Sequence, residues 1–250
     1  MNSVALSTRG LDKSFGSLVV AKNIEIALPR GVRYALIGPN GAGKTTLINL
    51  ITGMMHPDGG QIMLGDEDIT ALAPEERVRR GLVRTFQINS LFPYLTPLEA
   101  VTLTICERDK IARTWWRPTS DYRAAVDEAY AVLEQLMLGP ICTRPTRELA
   151  YGQQRLLEIA LALATKPKVL LLDEPAAGVP REESSELFTA INSLSKDITI
   201  LFIEHDMELV FRLASRIIVM VGGRILLEGT PDEISADPRV REVYLGGAHG

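Results

Sequence analysis

Cysteine is nearly absent from this 250-residue chain, with Cys106 and Cys142 far apart and in no metal-ligand spacing. Reduced thiols in a cytosol are therefore the simplest reading. Histidine is equally sparse, since His56, His205 and His249 are scattered rather than clustered. An excess of basic charge is also missing: 27 Lys+Arg stand against 31 Asp+Glu, a formal charge of -4. No global basic surface advertises nucleic acid, and none is expected as a partner. No apolar run approaches the roughly 18 residues that span a bilayer, and "MNSVALSTRG" lacks an apolar core of signal-peptide length, so the chain is not expected to cross a membrane. Repeats and low-complexity tracts are absent too. What is present is apolar material, 46% of residues with a mean hydropathy of +0.09. That suggests buried parallel strands and an apolar docking face.

The N-terminal third alternates "SVALSTRGLDKSF", "NIEIAL" and "VRYALIG" with Gly or Pro punctuation, which reads as strands joined by tight turns. The helix "KTTLINLIT" follows, with Gly53 placed as its C-cap. From Arg84 to about Thr165 the pattern is mainly helical, with "RTWWRPTS" reading as a surface loop. Beyond it, "KVLLLD", "ITILFIEHD" and "RIIVMVGG" are short β-branched runs of the kind covered on both faces. The expectation is one α/β domain with a mostly parallel sheet, an N-terminal antiparallel β lobe and an inserted α-helical lobe. Residues 1–84 and 166–250 form its core, and residues 85–165 the helical lobe.

"GPNGAGKTT" sets Gly38 four residues before Gly43-Lys44-Thr45, directly after the strand "YALI" and before a helix. These are both contexts that a phosphate-binding loop requires. Its glycines let backbone N–H groups converge on phosphate oxygens, and the helix N-terminus adds partial positive charge. Gly38, Pro39, Asn40, Gly41, Ala42, Gly43, Lys44, Thr45 and Thr46 are the predicted nucleotide-binding residues. Lys44 is expected to bridge the β- and γ-phosphates, and Thr45 to offer its hydroxyl oxygen to Mg²⁺.

"VLLLDE" then delivers Asp173 and Glu174 at a strand's C-terminal end, where open α/β sheets bind ligands. Asp173 is placed to hold Mg²⁺, directly or through water. Glu174 is placed to orient, or accept a proton from, the water that attacks the γ-phosphate.

The order "GPNGAGKTT", "RTFQ", "LAYGQQ", "LLLDEP", "IEHD" resembles an ABC-type ATPase cassette over essentially the whole chain. The resemblance implies that Phe15 stacks on adenine, that Gln87 senses Mg²⁺ and the γ-phosphate, and that His205 is the switch histidine. The plain alternatives are a core aromatic, a surface amide and a hydrogen-bonded histidine at a strand end. It also implies that the signature Leu149 to Gln153, with Ala150, Tyr151, Gly152 and Gln153, addresses ATP bound to a partner cassette. A head-to-tail dimer with two sandwiched ATP molecules follows.

Two positions depart from that family's pattern. Ala150 stands where the usual signature has Ser, and Pro180 where a polar Asn or Asp normally reaches across the dimer. These suggest unequal sites and a heterodimer, with a homodimer as the other possibility. "RTFQINSLFPYLTPLEAV", "YGQQRLLEIALAL", "IEHDMELV" and the ending "EGTPDEISADPRVREVYLGG" narrow the resemblance to ATP-binding subunits of branched-chain amino acid uptake systems. That group also imports urea, amides and aromatic acids. It implies membrane permeases and, indirectly, a periplasmic or extracellular solute-binding protein as partners, and peripheral attachment to the cytoplasmic face of the inner membrane.

Leu91, Phe92, Tyr94 and Leu95 are candidates for a permease-docking cleft, against ordinary packing within the helical lobe. The run "ERVRRG", residues 76–81, reads as a solvated helix face, and Trp115 and Trp116 as loop packing. Two other functions compete: a soluble ABC-type ATPase acting on nucleic acid or ribosomes, and a P-loop kinase of a small molecule. Neither has a matching insertion, basic extension or acceptor-binding lid in the sequence.

Overall fold

Alternating burial along two 12-residue segments builds the first sheet of the computed structural model, which describes residues 3–85, 91–111 and 119–245. Strands β1 (Val4–Phe15) and β2 (Leu18–Pro29) pair antiparallel, Thr8 facing Ile26. β4 (Gly59–Leu64) adds antiparallel to β1, and the short β5 (Glu67–Asp68) closes the order β2-β1-β4-β5. Period-two strands of this kind bury one face only. Here that face carries Leu6, Ile24, Leu28 and Ile62.

The second sheet reads differently because its strands are apolar throughout. β3 (Arg33–Ile37), β7 (Val169–Asp173), β8 (Thr199–Ile203) and β9 (Arg216–Val221) run parallel, in the order β9-β3-β8-β7. β6 (Leu82–Arg84) lies beyond β7, and β10 (Arg224–Gly229) pairs antiparallel with β9 at the opposite edge. The P-loop NTPase core with an antiparallel β lobe is thus as expected. Helix α1 (Lys44–Thr52) ends on Gly53 in the left-handed conformation, whose N–H returns to Leu50 O at 3.2 Å. Leu47 and Ile51 of α1 pack with Leu6, Leu28, Leu36, Leu201 and Met220 in one core. The first compact unit comprises residues 1–82, 168–175 and 195–250, and also holds α2 (Pro74–Arg79), α7 (Met207–Leu213), α8 (Pro231–Ala236) and α9 (Pro238–Leu245).

Residues 83–167 and 176–194 form the second unit, which is helical. It contains α3 (Pro97–Arg108), α4 (Thr119–Gln135), α5 (Tyr151–Ala164) and α6 (Arg181–Ser193). Thr96 and Glu99 cap α3 reciprocally, as the spacing "TPLE" favours. Of "RTWWRPTS", Thr119 and Ser120 are already helical, while Trp115 and Trp116 lie outside the described residues. Cys106 and Cys142 are free and buried.

The solvated reading of "ERVRRG" is corrected by Arg77, which is 0% exposed. Its guanidinium donates to Leu50 O (2.8 Å), Ile51 O (2.7 Å), Thr70 O (2.8 Å) and Leu72 O (3.0 Å). The first two are carbonyls in the last turn of α1, which lack an i+4 partner in the helix, and Leu50 O also accepts from Gly53 N–H. The fixed fork of Arg caps them and places positive charge at the negative end of the helix. Burial pushes the pKa of Arg77 down, and nearby Asp68 offsets this.

Candidate functional site

β3 carries four buried residues to Gly38, and the loop from Gly38 to Gly43 then turns into α1. Gly43 has φ 101°. A Cβ there would collide with the carbonyl oxygen of Val20, so both conformation and space demand glycine. Ala42 O accepts from Gly223 N–H at 2.9 Å, which ties the loop to the β9–β10 turn.

The structure offers two tests of whether a phosphate fits. Helix α1 has no side-chain cap at Gly43, so its first-turn N–H groups face outward without an intrahelical partner. Lys44 is buried, and its ammonium donates to Gly38 O (2.7 Å) and Pro39 O (3.1 Å), neither of which neutralises it. Burial pushes its pKa down, while the carboxylates of Glu174 and Asp173 pull it up. A buried ammonium whose hydrogen bonds go to neutral carbonyls, beside open helix N–H groups, is a seat for an anion. The nucleotide phosphates fit.

β7 ends on Asp173, and Glu174 follows with φ 47°. That left-handed backbone is uncommon outside glycine and is held by Glu174 N–H donating to Ile203 O at 3.0 Å. The adjacent β8 then delivers His205, whose Nε2 lies 2.7 Å from Glu174 Oε1. Asp206 caps α7 by accepting from Glu208 N–H at 2.9 Å, which fixes the turn after His205. Lys44, Asp173, Glu174 and His205 therefore gather beyond the C-terminal ends of three neighbouring parallel strands, β3, β8 and β7. Phe15, at the β1–β2 turn, is 51% exposed with Lys13 Nζ 5.7 Å from its ring, so it is not a core aromatic. Gln87 lies outside the described residues.

In the helical unit, Ala150 is the N-cap of α5 and supplies no side-chain oxygen. Gln153 Oε1 reaches back to Ala150 N–H at 3.0 Å, half of a capping box. Tyr151 is partly exposed, and its hydroxyl lies 3.3 Å from the Arg155 guanidinium. Gly152 N–H donates to Glu183 Oε2 of α6 at 2.8 Å. Glu183 was not among the predicted residues. Its only sequence signal is an acid in the first turn after Pro180, which says nothing about a partner 31 residues away.

The description "ABC transporter" matches residues 21–177, and "Branched-chain amino acid ATP-binding cassette transporter" matches residues 224–250. This chain belongs to the ABC transporter ATP-binding family. As an ABC cassette it binds nucleotide, and the family hydrolyses ATP to drive transport. The cassette is 40% identical to the high-affinity branched-chain amino acid transport ATP-binding protein LivG of Escherichia coli K12, over 99% of this chain and 100% of that protein. It is 38% identical to BraF of Pseudomonas aeruginosa, again over 99% and 100%. Among solved structures it resembles the ADP conformation of MJ1267, an ATP-binding cassette of an ABC transporter, with a TM-score of 0.85 and 34% identity. That match covers 98% of this chain and 100% of the other. Such ATP-binding subunits work with membrane permeases, and among the described residues of this cassette no helix is long and apolar enough to cross a membrane.

Proposed function

We propose that this cassette powers an importer of branched-chain amino acids or a related small solute, from the cytoplasmic face of the inner membrane. The observation that carries the mechanism is the gathering of Lys44, Asp173, Glu174 and His205 at one edge of the parallel sheet. The names of LivG and BraF, and the match at residues 224–250, support the solute class.

In this reading the loop from Gly38 to Thr46 cradles the triphosphate, Lys44 neutralises the β- and γ-phosphates, and Phe15 stacks on the adenine. Thr45, Asp173 and Gln87 would hold Mg²⁺, which neutralises charge on the phosphates when bound. Glu174 orients the attacking water and takes its proton, and His205 holds the Glu174 carboxylate and contacts the γ-phosphate. The signature, Ala150 to Gln153, addresses the nucleotide of a second cassette, so two subunits close head-to-tail around two ATP molecules.

Ala150 offers no hydroxyl to that phosphate, and Pro180 no polar side chain across the dimer. A bond from a hydroxyl to a charged oxygen is worth about 1.5 to 3 kcal/mol, so one composite site is weakened rather than lost. The cassette therefore pairs with a different one, giving unequal sites. Phe92 and Tyr94, 65% and 78% exposed, supply an apolar surface for a permease helix.

Reconstituted vesicles containing the permeases, a solute-binding protein and both cassettes test the reading with labelled leucine, isoleucine and valine. ATP-dependent uptake is expected. Uptake of an aromatic acid or urea in place of all three would overturn the solute class, and full transport with this cassette alone would overturn the unequal pair.

A further inference from the structure

The amide of Gly152 is the point at which the proposed signature would meet the partner's γ-phosphate, and in the structure it is already taken. Helix α5 starts without a side-chain cap because its N-cap is Ala150. A Ser at that position would satisfy an orphan N–H of the first turn. Glu183 does so instead, reaching from α6 to accept from Gly152 N–H at 2.8 Å. A carboxylate at a helix N-terminus is chemically close to a phosphate oxygen, anionic and accepting.

Glycine at 152 is what admits it, since a Cβ there would lie 2.6 Å from Glu183 Oε2. Glu183 is neither fully buried nor locked from behind. Its own N–H is held by Pro180 O at 3.0 Å, in the first turn of α6, and its side chain is partly exposed. Gly178, with φ 75°, precedes that turn.

We infer that Glu183 is an internal competitor for the γ-phosphate: its carboxylate occupies Gly152 N–H in the separate subunit and must withdraw before two cassettes close on ATP. One N–H proton shared between a carboxylate and a phosphate oxygen binds each more weakly, and the two anions repel each other at that distance. Glu183 thus opposes closure and sets the ATP concentration at which it occurs. In the separate subunit the same contact stabilises α5, replacing the cap that Ala150 lacks. The inference rests on the composite-site reading above.

The test uses the full chain, alone and mixed with its second cassette, with Glu174→Gln present throughout to hold hydrolysis back. ATP-dependent dimer formation is followed by sedimentation for Glu183, Glu183→Gln and Glu183→Ala. Both replacements remove the anion: Glu183→Ala, which also removes the acceptor, is expected to close at ATP concentrations lower by on the order of tenfold, the scale of one hydrogen bond to a charged group, and Glu183→Gln, which keeps a weaker neutral acceptor, at a concentration between that and wild type. Glu183→Gln retains an acceptor oxygen and is expected to keep the melting temperature of the free subunit, whereas Glu183→Ala lowers it. Closure in Glu183→Gln at an unchanged or higher ATP concentration, with dimers still formed, overturns the competitor role and leaves Glu183 a structural cap. No ATP-dependent dimer in any of the chains overturns the composite site itself, and the inference with it.

Discussion

His205 Nε2 and Glu174 Oε1 lie 2.7 Å apart, joining the turns that follow two neighbouring strands. Two partly exposed side chains hold this geometry because each backbone is fixed independently, Glu174 by Ile203 O and the turn after His205 by the Asp206 cap. In the proposed mechanism the pair positions one carboxylate oxygen and leaves the other free to face water.

Replacing Glu174 by Gln is therefore expected to cut ATP turnover by about 10² to 10⁴-fold while preserving nucleotide binding, the range for loss of a general base. Steady-state phosphate release alongside nucleotide retention checks it. Undiminished turnover removes Glu174 as the base. Replacing His205 by Ala should also lower turnover, by about tenfold or more, with ATP still bound.

Arg77 predicts a stability effect remote from the chemistry. Arg77→Met keeps the apolar stem but removes four hydrogen bonds to carbonyl oxygens, two of them at the C-terminus of α1. A loss of about 3 kcal/mol is expected, at the upper end for hydrogen bonds to a charged group, and Arg77→Lys should recover only part of it. Urea unfolding read by a probe in the first unit checks both variants. Wild-type stability in Arg77→Met would show that water caps the helix equally well.

Glu158 predicts a pH dependence. It forms a 2.9 Å pair with Arg155 on α5, yet burial pushes its pKa up from 4.5 to about 7, with Arg155 opposing the shift. The folded protein thus holds a proton that the unfolded chain releases, so this contribution is complete below 4.5 and is lost as pH rises through 7. From about pH 8 to about pH 5.5 the gain is about 2 kcal/mol, since one pKa unit corresponds to about 1.4 kcal/mol. Unfolding of wild type and Glu158→Gln at both pH values isolates it. Equal pH slopes in the two proteins would mean that Glu158 stays ionised.

Phe92 and Tyr94 predict a separation of activities. Replacing both with Ser is expected to leave ATP hydrolysis by the free cassette near wild type while lowering solute uptake per ATP in the assembled transporter. Unchanged coupling counts against permease docking at this surface. Tyr94 also lies under Arg147, 5.2 Å from the ring centroid, so Tyr94→Phe should behave more nearly as wild type.

Several elements could be read directly along the chain. The spacing of "GPNGAGKTT" specified a glycine loop leading into a helix, Gly53 specified where that helix stops, and the continuous apolar runs specified strands buried on both faces. Each is a local rule in which neighbouring residues set backbone conformation and burial. The same logic failed for "ERVRRG", where charge alone suggested a solvated face. Whether an arginine is solvated depends on what stands opposite it, and opposite Arg77 stands the end of a helix 26 and 27 residues earlier.

By itself the sequence determined the family and the order of the elements, and it supplied the residues proposed for the phosphate chemistry, because contiguous motifs carry all three. Only the tertiary structure decided which side chains meet across turns and helices: His205 with Glu174, Arg77 with the end of α1, and Glu183 with Gly152. No local rule sets these pairings. They arise when elements distant in the chain pack together and a polar group must find a partner there or remain unsatisfied.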